Sequence, residues 1–270
     1  MIHLQDEEGP PKMNRTTIWL STALAASLCL TAAPALAQKP ADYAAAVTAP
    51  GRPTDQVALD AGRHPAEVLG FLGLKKGMTA ADIMAGAGYY SEIMARVVGP
   101  HGKVLAYEPS QFYDGDEKAK AGWAALSGRA PNASVASYPF DGFAAPANSF
   151  DFVLLHMVYH DLYWESEKYK VPHTDPAAFL RTLYAATRPG GIVGVVDHVA
   201  LPGDTRATVE KLHRIDPATV RADFLAAGFV LEAESPVLRM PDDDHSKLVF
   251  DPAVRGRTDR FVFRFRKPKH

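Results

Sequence analysis

Ala80-Ala81-Asp82-Ile83-Met84-Ala85-Gly86-Ala87-Gly88-Tyr89-Tyr90 decides how this chain is read. A short apolar strand runs into an acidic residue, a glycine-rich turn follows, and a helix starts near Tyr89. Glycine permits the tight turn and lets a ligand approach the backbone closely. A helix N-terminus behind it presents unpaired N–H groups and a partial positive charge. A second strand, residues 103–108, ends in Glu108. That acid lies about 20 residues past the glycines, the offset at which a carboxylate reaches the ribose hydroxyls of a nucleotide.

Two ligand classes compete for this turn, beside a third reading in which the glycines serve packing alone. Dinucleotide folds want G-x-G-x-x-G, and Ser91 occupies the third glycine position. Asp82, in front of the glycines, would face a pyrophosphate there. It suits instead a ligand with positive charge near the turn, such as the amino group and sulfonium of S-adenosylmethionine. The order acid, glycine turn, second acid resembles class I S-adenosylmethionine-dependent methyltransferases, with Met84 in place of the first glycine of D-x-G-x-G-x-G.

The 270 residues, 47% of them hydrophobic, suffice for one sizeable core domain. A formal charge of −2 advertises no nucleic-acid partner. Met13-Asn14-Arg15, an apolar run over 18–30 and Ala35-Leu36-Ala37 read as a secretory signal cleaved before Gln38. Translation is then expected to start at Met13. The only cysteine, Cys29, falls inside the signal, with no lipoprotein cleavage box around it. The mature chain is therefore expected to be periplasmic or secreted, without disulfide, thiol nucleophile or stable membrane anchor. The expected organisation is an N-terminal extension and signal over 1–37, an Ala/Pro-rich arm with a short helix over 38–62, and the folded domain over 63–270.

Beyond Glu108 the pattern keeps alternating. Helices are expected at 66–72, 114–126, 175–187 and 217–227, and strands at 133–138, 149–155, 192–196, 229–232 and 259–266. The Ser149-Phe150-Asp151 strand start, the Arg188-Pro189-Gly190-Gly191 turn into a strand, and the closing helix, Ala227-Gly228-Phe229, strand, loop and strand all resemble the same methyltransferases. The chain most resembles a bacterial group of predicted methyltransferases, some with export signals. They share D-I-M-x-G-x-G-Y-Y, Tyr-His-Asp after the fourth strand and Asp-His after the fifth. The resemblance implies an α/β, Rossmann-like methyltransferase fold: a seven-stranded, mostly parallel sheet with an antiparallel last strand. It implies S-adenosylmethionine as cofactor, held by Asp82, Gly86, Gly88 and Glu108, with Asp141 facing the adenine amino group. Read by itself, Asp141 serves equally well as a turn-capping loop carboxylate.

Open α/β sheets bind ligands beyond the carboxyl ends of their strands. The sequence places His156, Tyr159, His160 and Asp161 after the fourth strand and Asp197 and His198 after the fifth, with His213 before the next helix. Methyl transfer is an in-line displacement that depends mainly on alignment. A hydroxyl acceptor also needs a base, and a neutral histidine can serve. His160, Asp161 and His198 are therefore the candidate catalytic residues, with Tyr159, Asp197 and His213 lining the pocket of a small-molecule substrate. Histidine and aspartate also suit a divalent transition metal, although no metal is assigned. Asp242-Asp243-Asp244-His245 reads as a solvated loop rather than a calcium site. Two further functions stay open: an exported, non-catalytic ligand-binding protein on this fold, and an NAD(P)-type oxidoreductase.

Overall fold

The computed structural model describes residues 40–269, so the expected export signal lies outside the described residues. Among the described residues, four helical segments precede the first strand: α1 (Pro40–Val47), α2 (Thr54–Val57), α3 (Asp60–Arg63) and α4 (Pro65–Leu72). Proline at the first turn starts α4 and left-handed Gly73 stops it. Tyr43 and Ala46 of α1 are buried in the core, and the Tyr43 hydroxyl donates to the Leu74 carbonyl at 2.7 Å. Within the stretch expected as an arm, Tyr43 and Ala46 thus pack into the same core as α4 and α5.

The alternation follows as β1 (Thr79–Ile83), α5 (Tyr89–Val98), β2 (Lys103–Pro109), α6 (Ser110–Tyr113), α7 (Glu117–Arg129) and β3 (Ala133–Tyr138). Then come β4 (Phe150–His156), a 3₁₀ turn (His160–Tyr163), α8 (Pro176–Ala186) and β5 (Thr187–His198). The chain closes with α9 (Thr205–Leu212), α10 (Pro217–Ala226), β6 (Val230–Ser235) and β7 (Arg260–Arg266). Asp116, Asp175 and Asp216 cap α7, α8 and α10 with side-chain oxygens on backbone amides, each worth about 1 kcal/mol. Helix α9 has no counterpart in the sequence reading.

The sheet has seven strands in the order β3-β2-β1-β4-β5-β7-β6. Strands β1 to β5 pair in parallel, and β7 runs antiparallel between β5 and β6. The expected mostly parallel sheet with an antiparallel last strand is what the chain forms. The order departs from the 3-2-1-4-5-6 of dinucleotide-binding sheets, because the last strand inserts beside β5. Helices cover both faces. Leu69, Leu72, Ile93 and Met94 pack on one side, and Leu180, Leu183, Phe224 and Phe265 on the other. Burying each such side chain contributes roughly 1.5–3 kcal/mol.

The long connection into β7 is pinned, contrary to the solvated loop expected at 242–245. Arg214 has no exposed surface, and its guanidinium grips Asp243 through two hydrogen bonds at 2.7 and 3.0 Å. Its Nε donates to the Lys247 carbonyl. Asp243 also accepts the Asp259 amide, and His245 hydrogen-bonds to Asp259. A charge cluster in the sequence is here an internal clamp, because a buried arginine needs a carboxylate partner.

Gly88 fixes how α7 meets the glycine turn. It sits at φ 75°, and a Cβ there would fall 2.4 Å from Leu126 Cδ1 and 3.0 Å from the Trp123 ring. Backbone strain and overpacking together predict that Gly88→Ala costs roughly 2–4 kcal/mol. Urea denaturation of the variant measures that loss, and an unchanged midpoint would contradict the packing assigned to Gly88.

Candidate functional site

Strands β1 and β2 are neighbours, with Asp82 opposite Ala106 and Ile83 opposite Tyr107, so Asp82 and Glu108 reach the same rim. A cavity of about 560 Å³ opens there, bounded by Gly86, Ala87 and Glu108. Gln56, Phe112, Trp123, Phe140 and Trp164 add to its wall. The turn is braced on both sides: Trp123 Nε1 donates to the Gly86 carbonyl at 3.1 Å and Gln56 Nε2 to the Ala87 carbonyl at 3.0 Å. Glu108 is buried beside the Gly86 amide and leaves Oε1 without a partner. Burial raises its carboxyl to about 7, against the Gly86 amide, with Asp82 adding to the rise. Gln56 Oε1 is likewise buried and unpartnered.

Three expected cofactor residues sit differently from the sequence reading. Asp82 is buried and is not part of the cavity wall; it accepts the Ser91 hydroxyl at 2.6 Å. It holds the first turn of α5, and Ser91, the residue that breaks the dinucleotide pattern, is its partner. Burial raises Asp82 to about 7 despite that bond and the Arg63 charge. Gly88 is buried against α7, whereas Gly86 is exposed to the cavity. Asp141 is exposed and faces a separate crevice beside His173 and Asp175, because the chain turns at Pro139 and brings Phe140 to the cavity instead. Met84 holds φ 53°, the conformation a glycine would adopt more cheaply, and its side chain lines the cavity.

The rim of β4 and β5 gathers the polar cluster. Asp197 has no exposed surface and accepts the His160 amide at 2.9 Å, the His160 ring Nδ1 at 2.8 Å and the His198 amide at 2.8 Å. His160 Nε2 lies 3.3 Å from Asp161 Oδ1, and Asp161 lines the first cavity. Burial alone would lower His160; the carboxylates of Asp161 and Asp197 outweigh it and raise the ring to about 9. His160 is thus a clamped imidazolium at neutral pH, not the neutral base expected. Asp197 is a positioning group and does not reach a substrate. Tyr159 is wholly buried, its hydroxyl donating to Asp223 of α10 at 2.7 Å, so it belongs to the core and not to a substrate pocket. His213 stands beside His160 with ring centroids 5.5 Å apart, against Trp164 and Phe250. Donor atoms of His160, Asp161 and His213 lie within 4.8 Å of one another, a spacing a divalent ion can use once His160 loses its proton.

His198 faces elsewhere. Its Nδ1 is hydrogen-bonded to Thr258 at 2.7 Å, burial lowers the ring to about 3, and it lines a second cavity of about 450 Å³. Arg63 and Arg260 line the same cavity. Met157 faces this cavity and the next residue, Val158, faces the first, so the end of β4 borders both.

The fold has many solved counterparts. A structure described as a SAM-dependent methyltransferase from Aquifex aeolicus superposes with a TM-score of 0.55 at 19% identity, over 85% of this chain and 99% of that one. An S-adenosylmethionine-dependent methyltransferase from Mesorhizobium loti gives 0.51 at 18% identity, over 77% of this chain and 99% of that one. This is the methyltransferase fold. The cyclase SpnF shares it, with a TM-score of 0.52 at 18% identity, over 78% of this chain and 82% of that one. The model of the protein-L-isoaspartate(D-aspartate) O-methyltransferase family matches residues 42–115, which hold the glycine turn and Glu108. No curated protein matches the sequence.

On this methyltransferase fold, the sequence reading missed Gln56, Trp123, Arg63 and Arg260. Gln56 and Trp123 touch the turn from 31 and 37 residues away, and no local pattern marks them. Arg260 could have been found, since it opens a strand whose neighbour ends in His198.

The charged state of His160 has a pH signature. A ring raised from 6.5 to about 9 on folding contributes stability that is complete below pH 6.5 and lost as pH rises through 9. Urea denaturation between pH 6.5 and 9 should show that decline in the native chain and its loss in His160→Gln. Equal slopes in the two proteins would mean that the ring is neutral.

Proposed function

We propose that this protein transfers a methyl group from S-adenosylmethionine to a small molecule, with no nucleic-acid or membrane partner. One observation carries the reading. Glu108, the penultimate residue of β2, stands beside the glycine turn with a buried, unpartnered carboxylate oxygen at the first cavity. Such an oxygen is costly unless a ligand brings donors to it, and ribose hydroxyls at this strand end do so. Gln56 Oε1 offers a second acceptor to the ligand, and Phe112, Tyr113 and Trp123 supply an apolar wall.

When bound, the cofactor supplies an electrophilic methyl group on a sulfonium. The chain's residues bind, orient and exclude water. His160, held protonated, fixes Asp161 rather than accepting the acceptor's proton; the Asp161 carboxylate at the cavity is the group placed to receive it. The same protonated ring favours a second reading, a non-catalytic ligand-binding protein. Formation of S-adenosylhomocysteine from S-adenosylmethionine with a small-molecule extract of native cells supports transfer; cofactor uptake without it supports binding alone.

Export of the mature chain to the periplasm or medium, read from residues 13–37, belongs to this proposal. N-terminal sequencing of protein from native cells should begin at Gln38, and intact Met13 on soluble cytosolic protein would remove it.

Glu108→Ala should weaken S-adenosylmethionine binding by about 1.5–3 kcal/mol, near tenfold to a hundredfold. Because a ribose favours the ionised carboxylate, binding by the native chain should release a proton below pH 7 and weaken by up to about tenfold per pH unit there. Calorimetry at several pH values in two buffers measures both effects. Unchanged affinity in folded Glu108→Ala would refute the assignment.

A further inference from the structure

The second cavity is built for an anion. Its wall carries Arg63, Arg255 and Arg260 with His198 and Thr258, and no aspartate or glutamate. Arg260 is the first residue of β7 and pairs across the sheet with His198, the last residue of β5, so antiparallel β7 delivers its guanidinium to the ligand rim. Arg260 is 2% exposed. Its Nε donates to the Thr258 carbonyl at 3.1 Å, and its Nη2 is buried without a partner among the described residues. Arg63 stacks over the Tyr89 ring at 4.4 Å, and among the described residues its guanidinium enters no ion pair. Arg260 is buried and Arg63 half-buried, and a guanidinium in such a place without a hydrogen-bonded carboxylate is costly; burial holds both groups below their ordinary pKa against the attraction of Asp82 and Asp60 for Arg63 and of Asp259 for Arg260.

The neighbouring acids are already committed. Asp60 accepts both Nη atoms of Arg52 and the Tyr89 hydroxyl. Asp259 accepts two bonds from Arg239, the Met240 amide and a bond from His245. Asp82 is bound to Ser91. The remaining wall is apolar, from Leu59, Met157, Val249 and Phe250.

We infer that this cavity binds the carboxylate of a small organic acid, with Arg260 and Arg63 on the anion and Leu59, Met157 and Phe250 around its apolar body. A guanidinium fork matches a carboxylate in two parallel hydrogen bonds, and the wall shields the pair from water. The first cavity lies on the other side of the Met157–Val158 step. The inference rests on the methyl-transfer reading only in making this acid the acceptor, anchored by its carboxylate.

Benzoate is the probe, benzamide its neutral counterpart and inorganic phosphate an anion without an apolar body. Calorimetry and thermal melting on the native chain should show one benzoate bound with a raised Tm, and benzamide and phosphate binding at least tenfold more weakly. Arg260→Met should lose benzoate binding at least tenfold while its Tm without ligand stays equal or rises, since a costly unpaired charge is removed. Should that variant fail to fold, Arg63→Gln carries the same expected loss. Benzamide or phosphate binding as tightly as benzoate, no benzoate binding, or undiminished binding in a folded arginine variant would each overturn the site. S-adenosylmethionine titrated into the same samples separates the two readings: benzoate binding without cofactor binding upholds the anion site and sinks methyl transfer.

Discussion

Asp197 accepts two hydrogen bonds from His160 and one from the His198 amide, with its carboxylate cut off from water. A carboxylate survives there because donors fill its lone pairs. Those bonds join the end of β5 to the segment leaving β4, so the ligand rim is one braced piece rather than two loops. They also set its charge. Between Asp197 and Asp161 the His160 ring keeps its proton, and Asp161 is held from behind while its front faces the first cavity. A few ångströms on, His198 has no such pair of acids and stays neutral under burial. Two histidines that look alike in the sequence thus end one charged and one neutral.

The strand ends were legible because alternation, acids and glycines sit within a few residues of each other. The β3 limits and the proline-started α4 were readable for the same reason: each signal is local. Side-chain direction was not. Asp82 looked like a ligand group by position, yet it caps α5 through Ser91, a partner whose choice depends on how the first turn of α5 winds back over β1. Tyr159 looked like a site residue beside His160, but at the start of a 3₁₀ turn neighbouring side chains diverge by about 120°, and Asp223 meets the Tyr159 hydroxyl from α10. Asp243 read as solvated because its partner Arg214 lies 29 residues away. Long-range pairing of this kind leaves no periodic trace.

The two cavities differ in what they lack. The first holds acceptors without donors, at Glu108 and Gln56; the second holds donors without acceptors, at Arg260. Each imbalance asks for a ligand of complementary chemistry. Met84 fits the same picture. Its left-handed backbone costs roughly 1–2 kcal/mol relative to glycine, and its side chain takes up part of the first cavity's wall.

Segment 53–63 touches both sides of this arrangement. Pro53, Asp55 and Gln56 face the first cavity, while Ala58, Leu59 and Arg63 face the second. Asp60 in its middle is gripped by Arg52 and Tyr89. One short stretch thus supplies wall to both cavities, and the grip of Arg52 and Tyr89 on Asp60 holds the two walls through a single carboxylate. A sequence change in this stretch is therefore never local to one cavity: it reshapes two ligand surfaces at once.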